Sequence, residues 1–297
     1  MMIFFKSKLT FCFSLLLYTL LLAAVTLYFR FPMGNFTVYC QSQLEEIFPG
    51  TSCSIGSIGY GFPFALTATD VRFNEKKLKK EELFTLDSIH VTPVLTAPLA
   101  QFSVLLDAFG GSHSFTLITD VKEKKFSLQE ILVEGLDPTR IPFLVRGTGR
   151  KITGTVAASG EYHGAWKDKK YTAEASGKMK LSSGNFSLLL PILAIKSVDL
   201  KEFSTDFQLQ DKKLQCDNGA FRGKELKGSF AGVLGLTPTL KSATLSFTGD
   251  LEPLPDLLKK NKTAQKMVTR MKKSIKRGAI PFTLQGVVQK PGFRFDS

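Results

Sequence analysis

From Thr51 to the C-terminus, apolar residues return at every second position in short runs, and the runs are bounded by Gly, Pro, Asp and Asn. That period belongs to strands with one face turned from water, because successive side chains of a strand point to opposite faces. In Ala243 to Thr248, Leu245 and Phe247 alternate with Thr244, Ser246 and Thr248. Phe203, Phe207 and Leu209 share one side with Thr205, and Ile89 and Val91 repeat the pattern after Asp87. Half-buried antiparallel strands are the expectation. Glycine enters such runs in a related setting at Gly154, Gly232, Gly249 and Gly286. A glycine inside a strand marks a bulge, a bend or the close approach of another backbone. The runs therefore predict a mainly β protein whose long antiparallel sheet is bent repeatedly in the same way, rather than a compact sandwich of straight strands.

Ahead of the sheet, Leu9 to Phe29 carries no charge and reads LTFCFSLLLYTLLLAAVTLYF. As a helix rising about 1.5 Å per residue it would span roughly 31 Å, close to the hydrocarbon thickness of a bilayer. The alternative is a cleavable signal peptide, which has a shorter apolar core and a small-x-small cleavage site. Ala23 and Ala24 keep that alternative open, but the run passes straight into Tyr28, Phe29, Arg30 and Phe31, an aromatic and basic border. The expectation is a cytoplasmic N-terminus at 1–8, a single transmembrane helix at 9–29 and a β-rich domain at 31–297 on the far side. Lys6 and Lys8 set that orientation through the positive-inside rule.

The chain carries 39 Lys+Arg against 26 Asp+Glu. A basic domain outside the cytoplasm meets anionic lipid or acidic protein before it meets nucleic acid, so no nucleic-acid partner is expected. Helical spacing interrupts the strands at Thr37 to Phe48, at Leu136 to Val145 and at Leu254 to Arg277. In the last of these, Leu254, Leu257, Leu258, Ala264, Val268, Met271 and Ile275 fall near one face, and Gly278 and Pro281 stop the helix. The other face holds Lys259, Lys260, Lys262, Lys266, Arg270, Lys272, Lys273, Lys276 and Arg277 against only Asp256. Such a face is either solvated, or contacts anionic headgroups or an acidic protein surface, with Lys259, Lys260, Lys266, Arg270, Lys273 and Arg277 as the contact candidates. The run Lys76, Lys77, Lys79, Lys80, followed by Glu81 and Glu82, reads as a solvated loop.

Catalytic patterns are missing from the sequence. His90, His113 and His163 stand in separate strand-like segments without a ligand partner at metal spacing. There is no nucleophile elbow and no phosphate-binding loop; Gly147, Gly149 and Gly154 read as turn and strand glycines. No enzymatic activity, metal or cofactor is expected. Cys12 lies in the apolar segment and Cys216 stands alone, while Cys40 and Cys53 either close a short disulfide loop or remain isolated thiols.

FPGTSCSIGSIGYGFPFALTATDVRF (Phe48 to Phe73), placed after a segment ending YFRFP, resembles the N protein of bacterial type II secretion systems. Related texture continues in LDSIHVTPVL (Leu86 to Leu95), FGGSHSF (Phe109 to Phe115), the stretch from Gly177 to Pro253, and IPFTLQGVVQKPGF (Ile280 to Phe293). That family is itself similar to the AsmA-like envelope proteins, in which an N-terminal anchor precedes a bent sheet with an apolar inner surface. The resemblance implies a non-enzymatic inner-membrane accessory component with a periplasmic, U-shaped sheet that contacts other secretion subunits. The alternative it implies is an AsmA-like lipid-binding or lipid-transfer protein with acyl chains in an apolar groove. The strong positive charge and the Lys-rich helix depart from the family pattern and leave the partner open.

Overall fold

The computed structural model describes residues 13–296, other than 20–21, 23–25, 27–31, 48–49, 62–63, 77–81, 143, 145–151, 168–169, 194, 238–241 and 276–278. The chain divides into two compact units, Met1–Pro49 and Gly50–Ser297.

In the first unit, residues 13–19 are helical, and helix α1 occupies Met33–Ile47, starting before the predicted Thr37. Among the described residues, no helix is long and apolar enough to cross a membrane. The run 13–19 is about 10 Å long at 1.5 Å per residue, a third of the hydrocarbon thickness. Apart from Leu22 and Thr26, the rest of Leu9 to Phe29 lies outside the described residues. Helix α1 is longer, but Gln41, Gln43, Glu45 and Glu46 make it too polar to span. The expected transmembrane helix at 9–29 is corrected accordingly. With it go the single-span membrane partnership, the cytoplasmic N-terminus, the inner-membrane location and the anchored secretion component that rested on the span.

The second unit is one antiparallel sheet in which every strand pairs with its neighbour in sequence, from β1 to β14. Its first half comprises β1 (Thr51–Gly61), β2 (Ala65–Glu75), β3 (Glu82–Pro93), β4 (Gln101–Ala108), β5 (Gly111–Asp120), β6 (Lys125–Leu136) and β7 (Ile152–Lys167). The second half comprises β8 (Lys170–Ile192), β9 (Ile195–Gln210), β10 (Lys213–Gly223), β11 (Leu226–Gly235), β12 (Thr244–Pro253), β13 (Ile280–Val287) and β14 (Lys290–Phe295). Among the described residues, β1 and β14 are its two edges.

Strict alternation would not keep the apolar residues of such long strands on one face, and left-handed kinks correct the phase. In β2, Ala68 pairs with Ile58 and Ile89, whereas Val71, three residues on, pairs with Ile55 and Leu86. Asp70 between them has φ 53° and absorbs the extra position, so both side chains stay on the same face. Glu130, also at φ 53°, does this between Leu128 and Ile131, and Asn218, at φ 51°, between Cys216 and Gly219.

The connections between strands supply the helices. After β6, Asp137 caps a short 3-10 turn, Pro138–Arg140, by accepting from the Thr139 amide at 2.9 Å. Hydrogen bonds from Thr139 hold the Asp137 carboxyl below its ordinary range. Of the helix predicted at Leu136 to Val145, only residues 142 and 144 are described as helical, and Leu136 still belongs to β6. Between β12 and β13 the predicted single helix is two, α2 (Pro255–Lys260) and α3 (Lys262–Ile275). The break falls at Asn261, whose extended backbone ends α2. Its side-chain oxygen accepts from the amides of Thr263 and Ala264 at 3.1 and 3.0 Å, capping α3.

The densest core lies where these helices cover the sheet. Leu257, Ala264 and Val268 pack with Leu193, Ile195, Leu226, Leu251, Ile280 and Phe282 in one buried cluster. Burying each large aliphatic side chain there contributes about 1.5–3 kcal/mol.

Candidate functional site

One row of side chains can be followed through the pairing from edge to edge of the sheet. Tyr60 pairs with Leu66, Leu66 with Val91, Val91 with Val104, and Val104 with Phe115. Past the β5–β6 bulge the row resumes at Ile131 and runs through Gly160, Gly177, Phe207 and Cys216. It ends through Gly232, Phe247, Leu284 and Phe293. Every strand contributes an apolar residue or a glycine, and at ~4.8 Å between neighbouring strands the row measures roughly 60 Å along the sheet. Thr205, buried on this face, donates its hydroxyl to the Asp217 carbonyl at 3.1 Å, so it adds no unsatisfied polar group.

In the second half of the sheet, glycine and phenylalanine face each other across this surface. Gly177 pairs with Phe207, Gly219 with Phe230, Gly228 with Phe221, Gly232 with Phe247, and Gly249 with both Phe230 and Phe282. A Cβ placed on any of these five glycines would stand 2.5–3.0 Å from an atom of Phe207, Phe230, Phe221, Phe247 or Phe282. The rings therefore lie across the glycine backbone instead of standing up from the sheet. They stack in turn on one another, Phe203 on Phe230 at 5.1 Å and Phe282 on Phe293 at 5.4 Å between centroids. The result is a smooth apolar floor. The glycines noted at 232 and 249 belong to this arrangement, whereas Gly154 and Gly286 adopt φ 127° and 114°, conformations that side chains rarely take.

Among the described residues of this unit, helices cover only part of this floor. Beneath α2 and α3, Leu226, Leu251, Ile280 and Phe282 are buried while Phe230 and Leu284 beside them are half-buried; Ile131, Val133, Ala158, Tyr162 and Met179 on β6 to β8 are all half-buried. An open depression of about 430 Å³ at this level lies among Leu132, Glu134, Ala157, Ser159, Lys178 and Lys180, whose side chains alternate with Val133, Ala158 and Met179 and turn to the other face. A second depression, of about 370 Å³ around Phe126 and Ala165, is rimmed by the charged Asp120, Lys125 and Glu174.

The opposite face is mostly polar, although Leu105 and Leu132 are 45% and 44% exposed on it. Lys180 meets Glu202 at 2.7 Å and Lys227 meets Glu252 at 3.0 Å, exposed pairs of small energetic weight. The Lys180 contact holds the Glu202 carboxyl below its ordinary range.

Of the cationic residues singled out in the sequence, Lys259 and Lys260 on α2 and Lys266 and Arg270 on α3 are exposed, as is Lys262. None of these five makes an ion pair among the described residues. Lys273 lies in α3 but its side chain is outside the description, and Arg277 lies outside the described residues, as do Lys77, Lys79 and Lys80.

Cys40 is half-buried in α1 and Cys53 is buried in β1. Burial pushes the thiols of Cys40 and Cys216 above their ordinary values, which keeps them uncharged and poorly reactive at neutral pH. The histidines remain apart: His90 bonds Thr67 at 2.9 Å, His113 Nε2 donates to the Ala108 carbonyl at 3.0 Å, and His163 lies 3.8 Å from Glu161. Among the described residues, no group of three or more His, Cys, Asp or Glu could hold a metal ion.

The Phe-over-Gly floor did have a signal in the sequence. Phe230 and Gly232, Phe247 and Gly249, and Gly219 and Phe221 are each two residues apart, so both members of a pair share a face. No family model matches the chain, and neither a curated protein nor a solved structure matches it.

Proposed function

We propose that the protein binds lipid acyl chains along the apolar face of its sheet, as a lipid-binding or lipid-transfer protein. The observation that carries this is the uncovered middle of an apolar row that crosses the whole sheet, on β6 to β8, where Val133, Ala158 and Met179 are only half-buried. A contiguous apolar surface that the chain does not hide from water is a binding surface or an aggregation hazard. Each methylene moved from water onto it gains about 0.8 kcal/mol. The row is about twice as long as the ~30 Å hydrocarbon thickness of a bilayer, which leaves room for more than one acyl chain. The resemblance to AsmA-like proteins agrees with this reading, because their sheets carry an apolar inner surface.

Titration of the full chain with a fluorescent fatty acid tests it, comparing Met179→Asp with Lys178→Asp. The two positions are adjacent but point to opposite faces. A charge at 179 has to be desolvated by a bound acyl chain and is expected to weaken binding at least about tenfold, while the change at 178 leaves it near wild type. Equal effects at the two positions, or no binding by the wild type, overturn the reading.

A further inference from the structure

The two rims of the sheet differ chemically, and one of them carries apolar side chains at the tips of its turns. In a sheet paired in chain order, the turns β1–β2, β3–β4 and β5–β6 all fall on the same rim. Phe64 in the first turn is 63% exposed, Leu95 and Leu99 in the second are 76% and 89% exposed, and Val121, beside the exposed Lys122, Glu123 and Lys124 of the third, is 82% exposed. These lie among the most exposed large apolar residues of the sheet unit. The connections at the opposite rim include the one that holds α2 and α3, with their exposed Lys259, Lys266 and Arg270.

The β3–β4 turn is the most developed of the three. Val94 to Ala100, VLTAPLA, contains no charge. Part of its backbone is paired within the turn and with its flanking strands. The amides of Ala97 and Ala100 donate to the carbonyls of Val94 and Ala97 at 2.9 and 3.0 Å, and Gln101 donates to Ala97 at 2.9 Å. The Val94 amide donates to Gln101 at 2.9 Å, and Thr119 of β5 donates to the Ala100 carbonyl at 2.8 Å. This pairing reduces the number of backbone groups that an apolar environment would leave unsatisfied, and an interfacial depth leaves the amides of Leu95 and Leu99 in reach of water. The turn is also continuous with the proposed lipid-binding face, since Val91 and Val104, just inside it on β3 and β4, belong to the apolar row.

We infer that this rim is a docking surface for a lipid bilayer: the Leu95 and Leu99 turn, flanked by Phe64 and Val121, inserts into the interfacial layer and sets the apolar face against the acyl chains it would take up. The inference rests on the lipid-binding reading. Insertion of this kind needs no spanning segment, and because apolar contact drives it, it persists on neutral lipid and at high salt.

The test places a polarity-sensitive fluorophore at Ala97→Cys in the full chain with Cys12→Ser and Cys40→Ser, Cys53 and Cys216 being buried. Neutral phosphatidylcholine vesicles at high salt are expected to shift the emission to the blue and remove quenching by iodide. Leu95→Asp with Leu99→Asp is expected to abolish that shift, and Lys259→Glu with Lys266→Glu and Arg270→Glu to leave it intact. No shift in the wild type, a shift that survives the two Asp substitutions, or a shift seen only with anionic vesicles and lost in the Glu variant overturns the assignment of this rim. Fatty-acid binding is measured on the same proteins with monomeric probe. Loss of probe shift with intact fatty-acid binding defeats the docking surface alone, whereas absent fatty-acid binding defeats the lipid-binding reading.

Discussion

The apolar face is built from one pattern along the whole sheet, yet it ends in two different states. At β11 to β13, Leu226, Leu251 and Ile280 are 2%, 4% and 0% exposed beneath Leu257, Ala264 and Val268 of the covering helices. At β6 to β8, Val133, Ala158 and Met179 occupy the same face, and among the described residues of the sheet unit no helix packs on them; they are only half-buried. The covered end is a protein core and serves stability. The open middle repeats the pattern without the lid, so its apolar surface contributes less to folding and remains available to a ligand.

Substitutions at the two places should separate these roles. The largest effect is expected at the covered end, where Leu257→Ala leaves a cavity under α2 and lowers unfolding free energy by about 2–5 kcal/mol in chemical denaturation. Gly232→Ala comes next. Its Cβ would stand 2.2 Å from the Ser246 carbonyl oxygen and 2.7 Å from the Phe247 ring, so about 1–3 kcal/mol is expected to be lost by the same measurement. At the open middle, Met179→Ala is expected to change stability by less than about 1 kcal/mol, because solvent already reaches the site. A loss at Met179 as large as at Leu257 would show that something covers the middle of the face and would break the comparison.

The smallest effect is electrostatic and lies away from both regions. Asp107 accepts from the Ser88 hydroxyl at 2.7 Å, and hydrogen bonds from Ser88 and Ser112 hold its carboxyl below the ordinary range. A carboxyl lowered in the folded state stabilises above its unfolded pKa of about 3.9, and that contribution is lost as pH falls through the folded value. Asp107→Asn should therefore lower stability slightly above the unfolded pKa and flatten the acid limb of stability against pH. A steeper acid limb in the variant would contradict the assignment.

Much of the sheet could be seen in the sequence because alternation is a local signal. Leu245 with Phe247, and Phe203 with Phe207 and Leu209, lie on one face as their spacing requires. The kinks at Asp70, Glu130 and Asn218 were hidden, because an apolar pair three residues apart reads equally well as helix or as a broken strand. The break at Asn261 was hidden for a related reason: helical spacing continued across it, while its capping role depends on the turn it makes. The uncharged run at Leu9 to Phe29 had the length and composition of a span, which are local properties, but among the described residues no helix is of that kind. The open middle of the face could not be read at all. Val133 and Leu251 look alike in sequence, and only the position of α2 and α3 decides which of them is covered.

The central claim is that acyl chains lie on the apolar face of the open middle. A photoreactive fatty acid, activated in complex with the full chain and mapped by mass spectrometry, tests it most directly. Adducts concentrated at Val133, Ala158, Met179 and Phe207, and absent from Lys178 and Glu202 on the polar face, are the predicted result. Adducts spread equally over both faces, or none on β6 to β9, would contradict it.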